Sequence, residues 1–130
     1  MKRNMDLVRT ILIAIENSVD DEPGTIHLPH KDYDDVTIFQ HVRMMHEGNL
    51  IHAIEGHGFD NSAPWYPHSL TWHGHDFLDA VRDDAIWARV RLREQESGHT
   101  LPLEALFRLA LHEINEKLKL IPAGNAISAD

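Results

Sequence analysis

The chain has 130 residues, which is long enough for a domain with a substantial hydrophobic core. An apolar fraction of 42% and a charged fraction of 25% exclude a wholly disordered chain, and the absence of cysteine excludes disulfides, thiol nucleophiles and thiolate metal sites. The net charge of −9, with 12 Lys or Arg against 21 Asp or Glu, argues against a general coat for nucleic acid or anionic membrane, and 11 histidines make the chain histidine-rich.

Apolar residues at three- and four-residue spacing predict a first amphipathic helix over residues 5–18. A short strand over residues 25–28 and a second helix over residues 34–47 follow, and Gly48 and Asn49 tolerate the left-handed backbone that ends a helix. Strands are predicted on either side of a loop over 55–66, at 50–54 and 68–70. Thr71 begins a long helix that reaches about residue 95, and a last helix covers 102–120.

This order of elements is the layout of a winged helix, in which a helix packs over a two-stranded hairpin whose loop is the wing. We therefore predict an α+β fold with a winged-helix-like domain in residues 1–95, a C-terminal helix in 96–121 and a flexible tail in 122–130. The last helix has a broad apolar face, which we expect to pack either on the domain or against a second copy of the chain. The sequence therefore leaves two alternatives, a monomer and a homodimer. No stretch approaches the roughly 18 apolar residues of a membrane-spanning helix and no export signal is evident, so we expect a cytoplasmic protein.

Two motifs resemble those of one protein family. The opening matches the pattern MKR-x-MDL-x-R, and residues 70–87 match LTW-x-GH-x-FLDA-x-RDD followed by tryptophan. Over about residues 1–95 the chain resembles an uncharacterised family of small bacterial and phage proteins, known as a domain of unknown function. The resemblance implies a winged-helix-like fold and a frequent prophage context, and it carries over no catalytic residue.

DNA binding is one function that a winged helix suggests. The helix over 36–47 would present Gln40, His41 and Arg43 to base edges in the major groove. However, only two of residues 20–75 are Lys or Arg, against nine Asp or Glu, and the predicted wing has no basic residue. Because phosphate contacts need cations, charge disfavours nucleic acid. A DNA-binding transcriptional regulator is therefore the alternative hypothesis, and an acidic DNA mimic is a third.

The leading hypothesis is a non-enzymatic regulatory adaptor that binds an unidentified protein partner. Trp65 and Tyr66 would be exposed aromatic contacts if the wing projects, whereas Trp65 would cover the core if the wing folds back. Arginines spaced seven and four apart lie on one helix face: Arg82, Arg89 and Arg93. They form either a solvated surface beside acidic neighbours or a docking strip for an acidic partner.

Several histidines invite a metal site, in which a divalent cation would be held by His68, His73, His75 and Asp76, or by His27 and His30. We expect packing and hydrogen bonding at a helix start instead, because His75 lies near Trp72 and Phe77, and we predict no metal and no cofactor. A phosphate loop, an H-E-x-x-H pattern and a nucleophile elbow are absent from the sequence. We therefore expect no catalytic residue and no enzyme activity.

Overall fold

The structure is a computed structural model that describes residues 1–18, 26–58 and 63–120. These residues form five helices and a two-stranded antiparallel sheet: α1 (Met5–Asn17), α2 (Asp35–Glu47), β1 (Ile51–Glu55), β2 (Trp65–Leu70), α3 (Trp72–Val81), α4 (Asp84–Ser97) and α5 (Leu103–Lys119). The prediction of an α+β fold with a helical C-terminal region is confirmed, and the succession of α2 and the hairpin resembles a winged helix. None of the described helices combines the length and the apolar composition needed to cross a membrane.

Contacts along the chain group it into two compact units, Met1–Leu78 and Asp79–Asp130. The first unit contains α1, α2, the hairpin and most of α3, and the second contains α4 and α5. The predicted domain limits of 1–95, 96–121 and 122–130 stay a prediction, and the predicted flexible tail lies outside the described residues.

The core of the first unit is formed by the apolar sides of its helices and hairpin. Asn4 begins α1, because its side-chain oxygen accepts from the backbone N–H groups of Asp6 and Leu7 at 3.0 and 3.1 Å. Asp34 begins α2 in the same way, with Thr37 N–H donating to its carboxylate at 2.8 Å. The spacing predicts an inner stripe of Val8, Ile11, Leu12 and Ile15 in α1, and all four are buried, together with Leu7. In α2 the predicted three-residue step from Val36 to Met45 is only partly right, because Val42 and Met45 are buried beside Ile38 whereas Val36 is 51% exposed.

A tight turn leads from α2 into the hairpin. Asn49 adopts the left-handed backbone expected there, with φ of 62°. The two strands then pair so that Ile51 stands opposite Leu70, and both side chains are buried. The register shifts between His52 and Ala53, where the ladder is irregular. The sheet therefore contributes one apolar side to the core of the first unit.

The second unit is built on the packing of α4 against α5. The buried residues of α4 include Ile86, Trp87 and Val90, and those of α5 include Leu106 and Ala110. Gly98 is the C-cap of α4 and adopts the left-handed conformation, with φ of 75°. This glycine therefore ends α4 before α5 begins at Leu103.

Two predicted elements are wrong, and the predicted strand over 68–70 is longer in the structure, where β2 begins at Trp65. The single helix from Thr71 to about residue 95 is wrong, because α3 ends at Val81 and α4 begins at Asp84. Asp83 has extended backbone angles and its carboxylate accepts from the N–H groups of the next turn, which makes it an N-cap rather than a helix residue. The predicted strand over 25–28 is also wrong for residues 26–28, which are not in a strand, while Thr25 lies outside the described residues.

Candidate functional site

The hairpin has one exposed side. Residues directly opposite one another in an antiparallel pair point to the same side of the sheet. Ile54 stands opposite Tyr66, and they are 51% and 37% exposed. His52 stands opposite Ser69 on the same side, and His52 is also exposed. We call these four residues the outer hairpin face.

The outer hairpin face consists of an apolar pair, Ile54 and Tyr66, beside the polar side chains of His52 and Ser69. Neither strand contains a lysine or an arginine. An apolar cross-strand pair in water is typical of a surface that another protein covers, whereas a phosphate backbone requires cations. The face therefore suits a protein contact centred on Ile54 and Tyr66.

Trp65 does not accompany Tyr66 on this face. Both residues lie in β2 rather than in the predicted loop, and successive strand residues point to opposite sides of the sheet. Trp65 is half-buried, and its ring centroid lies 5.7 Å from that of His46 in α2. His46 Nδ1 in turn accepts from Ala53 N–H at 3.2 Å. Trp65 therefore contacts α2, and its role as a protein contact stays a prediction.

His41, one of the proposed base-reading residues, is a core residue with 1% exposure. Its Nε2 accepts from Asn4 N–H at 2.9 Å, and its Nδ1 lies 2.8 Å from the carbonyl oxygen of Thr37. A ring that accepts at Nε2 and donates at Nδ1 is the neutral Nδ1–H tautomer. His41 thus joins α1 to α2 and does not reach a surface. Its position beside the stripe of Ile38 and Val42 was the available sequence signal.

The other two candidate base-reading residues are on the surface of α2. Gln40 is half-buried, and the side chain of Arg43 is 42% exposed. Arg43 Nε lies 3.9 Å from Glu47 Oε1 one turn further along the helix. A carboxylate at this position reduces the attraction of Arg43 for a phosphate. The helix therefore presents one cation, close to an anion of its own.

Thr71 and Gly74 tie the start of α3 to the turn before the hairpin. The Thr71 hydroxyl donates to the carbonyl oxygen of Asn49 at 2.6 Å and accepts from Gly74 N–H at 3.0 Å. Thr71 N–H also donates to the carbonyl oxygen of Leu50 at 3.0 Å. A Cβ on Gly74 would lie 2.0 Å from that oxygen, so only glycine permits this approach. These bonds explain why threonine and glycine occupy their places in the LTW-x-G pattern.

The tryptophan of the same pattern has a different environment. The packing role expected for His75 near Trp72 and Phe77 is wrong for His75, which is exposed, and for Trp72, which is 85% exposed, while Phe77 is fully buried. Asp76 is exposed as well. The exposure of Trp72 was not predicted, because tryptophan is highly buried on average.

The three arginines proposed as a docking strip pair with carboxylates of their own unit. Arg82 lies 3.0 Å from Asp79, before the break that separates α3 from α4. Arg89 donates to Glu113 of α5 at 2.8 Å, and Arg93 lies 3.4 Å from the other oxygen of the same carboxylate. The side chain of Glu113 is only 5% exposed. These pairs favour a structural role, because a buried carboxylate requires cations beside it.

A pH test follows from the N-cap of α4. Lys117 of α5 donates to the Asp83 carboxylate at 3.1 Å and, together with the N–H groups of Ile86 and Ala85, holds the pKa of Asp83 below its ordinary value of 3.8. A lowered folded-state pKa contributes stability that is present above the unfolded-state pKa, about 3.9, and lost as pH falls through the folded-state value. We expect Asp83→Asn to melt below the wild type at neutral pH and the two melting temperatures to converge in acid.

Thermal melts followed by circular dichroism between neutral pH and about pH 2 measure this convergence. Asp32→Asn, which removes an exposed carboxylate that is not an N-cap, is the control and should change the melting temperature little at any pH. If the difference in melting temperature between Asp83→Asn and the wild type stayed unchanged in acid, this result would contradict the pairing of Asp83 with Lys117.

The histidines considered for metal binding do not gather in the part of the chain that the structure describes. Within residues 1–18, 26–58 and 63–120, no three His, Asp or Glu side chains are placed to hold a metal ion. His30 is instead 2.6 Å from Asp35, next to the ring of Phe39. The prediction that the chain takes no metal stays a prediction.

Comparisons with known proteins agree with the resemblance to an uncharacterised family. The profile of a family described as hypothetical protein (DUF2513) matches residues 2–100. This range contains helices α1 to α4 and the hairpin. A protein of Haemophilus influenzae described as an uncharacterized protein is 29% identical over 118 residues, which cover 91% of this chain and 99% of that relative. No solved structure matches the chain.

Proposed function

The chain belongs to the DUF2513 family of hypothetical proteins, whose description gives no activity, and from the geometry we propose that it is a non-enzymatic regulatory adaptor that binds another protein. The observation that carries this proposal is the pairing of Ile54 with Tyr66 on the outer hairpin face. Both side chains are exposed on a sheet without lysine or arginine. Aromatic and aliphatic side chains at the centre of an interface supply much of its binding energy.

Three carboxylates with lowered pKa values have structural partners, and the proposal gives them no catalytic role. The pKa of Asp34 is lowered by its hydrogen bonds with Thr37, and that of Glu116 is lowered by its hydrogen bond with Lys119. Both groups, like Asp83, serve helix ends or ion pairs.

The DNA-binding alternative has less support. Of its three residues, His41 is buried with both ring nitrogens engaged, and Arg43 lies near Glu47. The first unit also contains five Lys or Arg against twelve Asp or Glu. An acidic DNA mimic agrees better with this charge. We also propose a prophage context for the adaptor, as the resemblance implied, and a location in the cytoplasm.

The test uses the full chain as bait in a lysate of the native host, with mass spectrometry to identify captured proteins. The double variant Ile54→Ser with Tyr66→Ser is expected to weaken the captured complex by at least about tenfold, because each loses an apolar contact of the kind that dominates interfaces. Val36→Ser is the matched control, since Val36 is also 51% exposed but lies on α2. It should leave the complex unchanged.

Titration with random duplex DNA at low and physiological salt decides between the hypotheses. An adaptor of this charge should bind DNA weakly at both concentrations. A salt-sensitive DNA complex that is abolished by Arg43→Ala, and that the hairpin double variant leaves intact, would overturn the adaptor proposal in favour of the DNA-binding regulator.

A further inference from the structure

Trp72, the first residue of α3, is 85% exposed, the largest exposed fraction among the large apolar residues that the structure describes. The indole does not stabilise the core, which ends at the buried Leu70 and resumes at the buried Phe77. Tryptophan is rarely left in water over its whole surface, because burying it contributes more apolar area than burying any other residue. Such a residue is a candidate contact for another molecule.

Besides two histidines, α3 carries carboxylates and no lysine or arginine on the helical turns that follow Trp72. Asp76 lies one helical turn beyond it, and both are exposed on the same helix face. No lysine or arginine occurs anywhere between Arg43 and Arg82. The positive end of the helix dipole is equivalent to about half a charge, which is less than the full charge of Asp76. The complement of this surface is therefore a cation.

The face of a tryptophan ring is the best aromatic partner for a cation, and among protein cations the planar guanidinium of arginine stacks on it most often. An arginine stacked on Trp72 has N–H groups free at its edge, and these donate readily to a carboxylate one turn away. An ammonium offers a point charge without the planar stacking surface.

We propose that Trp72 and Asp76 form a binding site for an arginine-bearing segment of a partner protein. The site lies on α3 and is separate from the outer hairpin face, so this proposal does not depend on the proposed function. It assigns Trp72 to recognition, whereas the neighbouring Thr71 and Gly74 hold the helix start in place.

The experiment titrates the full chain with a ten-residue peptide of alternating arginine and glycine, followed by fluorescence and calorimetry at low salt. The difference between the wild type and Trp72→Phe isolates the emission of Trp72 from that of Trp65 and Trp87. We expect Trp72→Ala to weaken peptide binding by about tenfold and Asp76→Asn by about threefold, and a lysine–glycine peptide to bind more weakly than the arginine peptide.

Asp32→Asn is the matched control for charge, because it removes one exposed carboxylate of the same unit far along the chain from α3. It should change the dissociation constant by less than about twofold. Thermal melts of each variant establish that it is folded. The proposal is overturned if the arginine peptide does not bind, if Trp72→Ala binds it as the wild type does, or if Asp32→Asn weakens binding as much as Asp76→Asn, which would indicate attraction to bulk charge.

Discussion

Leu12→Ala is expected to lower the free energy of unfolding by about 2–5 kcal/mol, the largest effect among the substitutions considered. Leu12 is fully buried on the inner stripe of α1, in the centre of the first unit. Alanine removes its apolar contacts and leaves a cavity that the surrounding helices fill only in part. Urea denaturation followed by circular dichroism measures the change, as a shift of the midpoint at constant slope.

Leu92→Ala is the matched control for this substitution. Leu92 is also a helical leucine, but it is 54% exposed on α4. We expect its effect to stay within about 0.5 kcal/mol, as is usual for surface positions. Equal destabilisation by the two variants would mean that the inner side of α1 is assigned wrongly.

Gly74→Ala is expected to destabilise the first unit by about 1–3 kcal/mol, although alanine is the better helix former. The new Cβ would lie 2.0 Å from the carbonyl oxygen of Leu50, which belongs to the backbone and accepts from Thr71 N–H. Either α3 or the turn before β1 has to move, and movement weakens the bonds that Thr71 makes. A lower melting temperature and faster amide exchange at Thr71 would record this.

Gly48→Ala tests whether the effect comes from the close approach or from any glycine near the turn. A Cβ on Gly48 would lie 3.3 Å from its nearest neighbour, and its φ of −83° suits alanine. We expect little loss of stability. A stable Gly74→Ala variant with unchanged exchange at Thr71 would argue against the contact with Leu50.

Much of the first unit could be predicted from its residue spacing. The stripe that includes Leu12 has the period of a helix, which predicts α1. Asn4 and Thr71 are residue types that often cap helices, so the positions where α1 and α3 begin could be predicted as well. Asn49 indicated the left-handed turn. These signals are local, because each depends on residues within one or two helical turns of one another.

Features that depend on distant residues were not predictable in the same way. The ion pair of Asp83 with Lys117 joins residues that are far apart along the chain, so local spacing does not indicate it. His41 has a polar side chain on an apolar stripe, and only the backbone of Asn4 shows what satisfies it. The two sides of β2 were missed because the predicted strand was too short to show alternation.

The bonds of Thr71 have a consequence for the speed at which a partner would engage α3. They fix the backbone on both sides of Trp72. A partner that docks there therefore has to order only the two side-chain torsions of Trp72, and no flexible loop of this chain. Ordering one side chain costs about 0.5–1.5 kcal/mol, whereas ordering a flexible segment adds about 1–2 kcal/mol for every residue. A partner that meets Trp72 would therefore bind without a slow rearrangement of this chain. Differences in affinity among partners would then come from their dissociation rates.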